Sequence, residues 1–174
     1  AIDLANDTPF GLTSGIQSLD DREVDRWVGR MEAGNLYVNR PTTGAIVGRQ
    51  PFGGWKASSV GPGAKAGGPN YPLQLGRWRQ ALLPTADAEC SPRVAAALAR
   101  CLEVVGDSGD AAAVLRASAA SYAEAWRSHF ACEHDPSALL GEDNVFRYLP
   151  CRAIIARGDA SGATALALMQ ALLA

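Results

Sequence analysis

The stretch Pro41-Thr42-Thr43-Gly44-Ala45-Ile46-Val47-Gly48-Arg49-Gln50-Pro51-Phe52-Gly53-Gly54 holds the residue types best suited to binding chemistry. Its four glycines admit backbone angles and close approaches that a β-carbon forbids, and its two prolines fix φ and remove donors. Such a loop is rigid and presents bare N–H groups, which is how a protein grips a carboxylate or phosphate without a cationic side chain. One aromatic ring, Phe52, stands between Pro51 and the Gly-Gly pair. On composition alone the stretch also fits an ordinary connection between two elements.

Other groupings have weaker claims. Gly61-Pro62-Gly63-Ala64-Lys65-Ala66-Gly67-Gly68 invites a nucleotide reading, but a phosphate loop needs Gly-Lys-Ser/Thr opening a helix, and Ala64 and Ala66 flank Lys65 instead. Pro62 and Pro69 also break the strand-turn-helix context of a dinucleotide turn. His129, Cys132 and His134 have metal-like types, yet no second set answers them, so a helix end with a buried cysteine is the better reading. Glu133, Asp135, Glu142 and Asp143 could pair as catalytic acids, but loops and caps explain them better. Trp27, Tyr122 and Trp126 read as core or interface residues. Lys56 and Lys65 read as solvated or packed against neighbouring chain, not as catalytic groups.

The elements that must carry the central loop follow from periodicity. Ala1 to Asn6 reads as a helix end, closed by Asn6-Asp7-Thr8-Pro9. Leu12 to Ser18 reads as a strand. Asp20 is an N-cap, with Glu23 completing a capping-box pair, and Val24, Trp27, Val28 and Met31 form one helical stripe that Gly34 ends as a C′ residue. Asn35 to Asn39 is a second strand. Strand, helix and strand in this order predict a parallel pair, so the loop leaves the carboxyl end of a strand, where ligands bind in open α/β sheets.

Downstream, Leu73 to Trp78 reads as a short strand and Pro84 to Cys90 as a domain boundary. Ser91 caps a helix with Pro92 at N1, striped by Val94, Leu98, Cys101, Leu102 and Val105 and stopped by Gly106. A longer helix from Asp110 has Leu115, Ala119, Tyr122, Trp126 and Phe130 as its expected inner face. Asn144 to Leu149 and Cys151 to Arg157 read as strands, and Ser161 to Leu173 as a final helix.

The chain has 174 residues, 48% apolar and 20% charged, enough for one substantial core or two small ones. A net charge of −2 offers no basic field for nucleic acid. No apolar run approaches the roughly 18–20 residues that span a bilayer. Cys90, Cys101, Cys132 and Cys151 lack paired spacing, which predicts free thiols in a reducing, cytoplasmic compartment. The opening Ala1-Ile2-Asp3-Leu4-Ala5-Asn6, without an initiator Met, reads as part of a longer polypeptide.

Three blocks in order carry a family resemblance. They are Ala5-Asn6-Asp7-Thr8-Pro9-Phe10-Gly11-Leu12-Thr13-Ser14-Gly15-Ile16, then Gly34-Asn35-Leu36-Tyr37-Val38-Asn39, then Pro51-Phe52-Gly53-Gly54. The chain resembles the C-terminal part of the aldehyde dehydrogenase catalytic domain. With Thr43-Gly44-Ala45-Ile46-Val47 and Lys65-Ala66-Gly67-Gly68-Pro69-Asn70-Tyr71, it looks like the branch that oxidises L-glutamate γ-semialdehyde. The second half, with Trp126, His134-Asp135-Pro136 and Glu142 through Pro150, is similar to the C-terminal region of bifunctional proline utilisation enzymes. Ser58-Ser59 departs from the Ser-Gly of many relatives, so the local turn there is expected to differ.

The resemblance implies an α/β fold: a partial aldehyde dehydrogenase catalytic domain over residues 1–84, then an incomplete α/β C-terminal domain over residues 85–174. It implies that the N–H groups of Gly44 and Ala45 hold the substrate α-carboxylate and that Phe52 walls its aliphatic chain. It implies NAD bound by residues outside this segment, FAD in an upstream proline dehydrogenase domain, a homo-oligomer, and a thiolate nucleophile that none of the four cysteines matches. The segment alone is accordingly expected to be inactive. Two further readings stand beside this one. The part from Pro92 could be a non-catalytic cover or assembly module, as such a region closes the passage between the active sites of the bifunctional enzymes. Another aldehyde dehydrogenase is the third, and the Gly44-Ala45 anchor argues against it.

Overall fold

The computed structural model describes residues 1–61, 63–77, 79, 89–151, 153–159 and 161–174. It divides into two compact units, one of Ala1–Trp78 with Asp135–Asn144, the other of Arg79–His134 with Val145–Ala174. The boundary expected at Pro84 to Cys90 falls largely on residues 80–88, outside the described residues.

The first unit begins with α1 (Ile2–Asn6), β1 (Phe10–Gly11), β2 (Thr13–Ile16), α2 (Asp21–Arg30) and β3 (Asn35–Val38). The expected parallel pair forms, with Thr13 opposite Asn35 and Ile16 opposite Val38. The Asp20 side chain accepts from the Arg22 N–H at 3.0 Å and starts α2. The capping box does not close, because the Glu23 carboxylate instead accepts from the Ser18 hydroxyl at 2.5 Å. Trp27, Met31 and Ala33 are buried, and Ile2, Ile16, Val28, Leu36 and Val38 pack around them, so the predicted stripe is the face that meets the sheet.

Gly34 is not the C′ residue of α2. The helix ends at Arg30 with Met31 already extended at φ −72° and ψ 131°. Gly34 serves a different need: a β-carbon there would lie 1.9 Å from the Gly53 carbonyl oxygen. A further strand, β4 (Trp55–Lys56), pairs antiparallel with β1 and was not foreseen. The Ser58 hydroxyl beside it accepts from the Gly11 N–H at 3.2 Å. The strand expected over Leu73 to Trp78 is instead a short 3₁₀ turn at Pro72–Gln74, with Trp78 outside the described residues. Pro72 has no N–H to give a sheet ladder, which favours the turn.

The second unit contains α3 (Pro92–Val105), α4 (Asp110–Ala125) and α5 (Gly162–Leu173). Ser91 caps α3 by accepting from the Val94 N–H, and Gly106 leaves it at φ 88°. Ala97, Cys101, Leu102, Ala112, Leu115, Ala119 and Leu173 make the core. The buried Ser118 is satisfied by Gln170 Nε2 at 2.8 Å. Trp126 and Phe130 were expected on the inner face of α4, yet they are 47% and 40% exposed. A π-helical turn over Trp126–Phe130 widens the coil there and swings the stripe away from the core.

The strands expected at Asn144 to Leu149 and Cys151 to Arg157 do not form among the described residues; a single antiparallel bridge, His134 with Phe146, is what remains. Tyr148 stacks edge-on against Phe130 and Phe146 instead. Among the described residues no disulfide joins the cysteines, which are graded from buried Cys101 to exposed Cys151. Among the described residues no helix is long and apolar enough to cross a membrane.

Candidate functional site

The loop after β3 starts from a fixed point. Tyr37 is 4% exposed, and its hydroxyl donates to the Gly44 carbonyl at 3.0 Å, while the Arg40 guanidinium lies 5.5 Å from the centre of its ring. Gly44 turns the chain at φ +103°, a region that L side chains rarely adopt. Gly44 and Ala45 are both exposed, and among the described residues no protein group accepts from either N–H. Immediately afterwards Ile46 and Gln50 close a tight turn, with Gln50 N–H donating to Ile46 carbonyl at 2.7 Å. Two adjacent main-chain donors therefore stand open on a turn whose flanks are pinned.

Phe52 is half-buried and bridged both ways to Ala66, at 3.0 and 2.9 Å. Gly48 N–H donates to the Gly67 carbonyl at 3.0 Å, so the 65–67 segment runs under the loop as a strut. The sequence reading missed this strut and the residues that lock it. Asn35 Nδ2 donates to the Pro51 carbonyl at 2.9 Å, and its Oδ1 accepts from Gly53 N–H at 3.2 Å and Lys65 Nζ at 3.1 Å. Lys65 Nζ also donates to the carbonyls of Gly34 and Gly53. Asn35 was visible in the block Gly34 to Asn39, but its partners are distant in the chain. Of the two expectations for Lys65, solvated or packed against neighbouring chain, the second holds, and its ammonium clamps that chain.

Burial pushes the Lys65 ammonium down from 10.5 to about 8. The unfolded chain therefore binds more protons than the folded one between about pH 8 and 10.5, and stability from this group rises with pH across that window. In denaturant melts from pH 7 to 10.5, the protein should gain stability relative to its Lys65→Met variant. Parallel curves for the two would show that the ammonium is not desolvated.

Of the carboxylates, Asp135 holds its own loop together. Asp135 Oδ1 accepts from the N–H groups of Ser137 and Ala138 and Oδ2 from that of Asn144, and these bonds, led by the Ser137 hydroxyl, hold it at about 2. His134 Nε2 is engaged with the His129 carbonyl at 2.9 Å, and His129 Nε2 faces the Tyr148 hydroxyl at 3.4 Å. Among the described residues no group of three metal-ligating side chains gathers. A shallow hollow bordered by Asp3, Leu4, Asn6, Asp7 and Glu32 includes none of Gly44, Ala45 or Phe52.

This site sits on a segment with known relatives: residues 1–75 match the model of the aldehyde dehydrogenase family. The same part is similar to 1-pyrroline-5-carboxylate dehydrogenase 2 of Bacillus subtilis (strain 168), 46% identical over 71 residues, 41% of this chain and 13% of that protein. It is also similar to the bifunctional protein PutA of Rhizobium meliloti, 49% identical over 76 residues, 44% of this chain and 6% of that protein. The solved structure of Proline Utilization A (PutA) from Corynebacterium freiburgense matches 86% of this chain at 46% identity and a TM-score of 0.70. The mixed helix-and-strand architecture is thus that of PutA over most of the chain. It spans 14% of that PutA chain.

Proposed function

We propose that this chain supplies the substrate-carboxylate anchor of an NAD-dependent dehydrogenase that oxidises L-glutamate γ-semialdehyde to L-glutamate in proline catabolism. The observation that carries the reading is the pair of open N–H groups at Gly44 and Ala45, on a turn that Tyr37 and the Ile46–Gln50 closure hold in shape. A carboxylate is the ligand that adjacent main-chain donors suit, and an aromatic wall such as Phe52 suits a short aliphatic chain. The name of the Bacillus subtilis relative, 1-pyrroline-5-carboxylate dehydrogenase 2, supports this substrate class.

The thiolate nucleophile and the NAD site belong to other parts of the intact enzyme. In support, residues 1–75 contain no cysteine, and all four thiols fall in the second unit. A cytoplasmic location is part of the proposal. In this reading residues 1–84 belong to the end of the catalytic domain and residues 85–174 to a C-terminal region; the alternative is that the part from Pro92 is a non-catalytic covering or assembly module. FAD, in a proline dehydrogenase domain of the same polypeptide, and a homo-oligomeric state complete the proposal.

The test is kinetic, in the full-length enzyme. Ala45→Pro removes one donor, and a charge-assisted hydrogen bond is worth about 1.5–3 kcal/mol. KM for the semialdehyde should rise about tenfold or more, while KM for propanal, which has no carboxylate, should move less than threefold. Equal rises for both aldehydes would dismiss the anchor.

A further inference from the structure

The anchor turn is held from one side by the 65–67 strut. On its other side stands a segment from the far half of the chain. Arg49 lies within the Ile46–Gln50 turn, and its Nε donates at 2.5 Å to Oε1 of Glu142, 93 residues further on. Arg49 Nη2 reaches the same oxygen, and both side chains are only about one-third exposed, at 32% and 31%.

Glu142 is not on a loose loop. Asn144 Nδ2 donates to its Oε1 at 2.8 Å and to the Ser137 hydroxyl at 3.0 Å. The Asp135 carboxylate gathers the Ser137, Ala138 and Asn144 amides, closing residues 135–144 on themselves. Ala138 at φ 44° and Gly141 at φ 86° make the bends. The loop thus orders itself before presenting one carboxylate to one guanidinium. An adventitious surface pair lacks this scaffold and pays the full cost of ordering two long side chains.

We propose that residues 135–144 form a brace for the Gly44–Ala45 turn and that Glu142 is a positioning residue for substrate binding, acting through Arg49. This rests on the anchor reading above. The brace lies outside residues 1–75, the part that matches the family model. The bond from Asn144, then that from Arg49, holds the Glu142 carboxyl below its usual range, which keeps the brace charged through neutral pH.

In the full-length enzyme, Glu142→Ala, Arg49→Ala and the double variant should each raise KM for L-glutamate γ-semialdehyde about three- to tenfold, with kcat within twofold. The double variant should be no worse than the poorer single one, because both remove the same contact. Glu142→Gln, which keeps an acceptor for Asn144, should fall between wild type and Glu142→Ala. A general loosening of the fold would lower kcat through lost active enzyme and leave KM alone, and that result overturns the brace. So do singles with unchanged KM, or a double variant whose effect is the product of the two. If Ala45→Pro raises KM while Glu142→Ala does not, the anchor stands and the brace falls. If Ala45→Pro changes nothing, both fall.

Discussion

Replacing Gly34 with alanine will cost the first unit roughly 4 kcal/mol or more, or prevent it from folding. The added methyl would stand 1.9 Å from the Gly53 carbonyl oxygen and 2.7 Å from the Gly54 Cα, both of them backbone. Neither neighbour can step back cheaply. Lys65 Nζ joins the Gly34 and Gly53 carbonyls, and Asn35 holds Pro51 and Gly53, so any retreat breaks bonds that clamp the loop. Gly29 is the internal comparison. It lies in the last turn of α2 with nothing within 4 Å of an added β-carbon. Gly29→Ala should therefore stabilise by about 0.5–1 kcal/mol through a less flexible unfolded chain. Denaturant melts followed by fluorescence of the buried Trp27 would give both signs, and a neutral Gly34→Ala would refute the close approach.

Leu115→Ala should destabilise the second unit by about 2–5 kcal/mol. Leu115 is fully buried at 0% exposure, in the core that α3, α4 and α5 share. Helices of 12 to 16 residues are marginal by themselves in water, so packing rather than propensity sustains them. Emptying the centre removes contacts from each helix at once. Leu172, on α5 but 62% exposed, should tolerate alanine within about 0.5 kcal/mol. Near-UV circular dichroism in urea would separate the two, and equal midpoints would mean that Leu115 is not the centre.

What the sequence made legible were features enforced locally. Asp20 before α2 and Ser91-Pro92 before α3 satisfy helix N–H groups within three residues of themselves, so the starts were readable. The stripe through Trp27 and Met31 told which face is buried, and with it the parallel pairing of β2 and β3. The failures are non-local. Gly34 follows a helix and so resembles a cap; that the chain returns at Gly53 to press against it is visible only in three dimensions. Asn144 to Leu149 has a strand-like composition, but a strand exists only when a neighbouring strand completes its ladder, and among the described residues what forms there is the bridge of Phe146 with His134. Trp126 and Phe130 keep helical spacing on paper, and the π turn spoils the register. At the site, Gly44, Ala45 and Phe52 are proposed from the family resemblance, which the linear order displays. Tyr37, Asn35, Lys65, Arg49 and Glu142, which hold that loop, are not, because each acts through a partner that the linear order hides.

The grading of the thiols has a practical consequence. Cys151 is open to a modifying reagent at once, whereas Cys101 is sealed in the α3–α5 core and becomes reachable only when those helices part. Counted by mass as each label arrives, the chain carries its own clock: the first adduct records surface chemistry, and the last records how often the helical core opens.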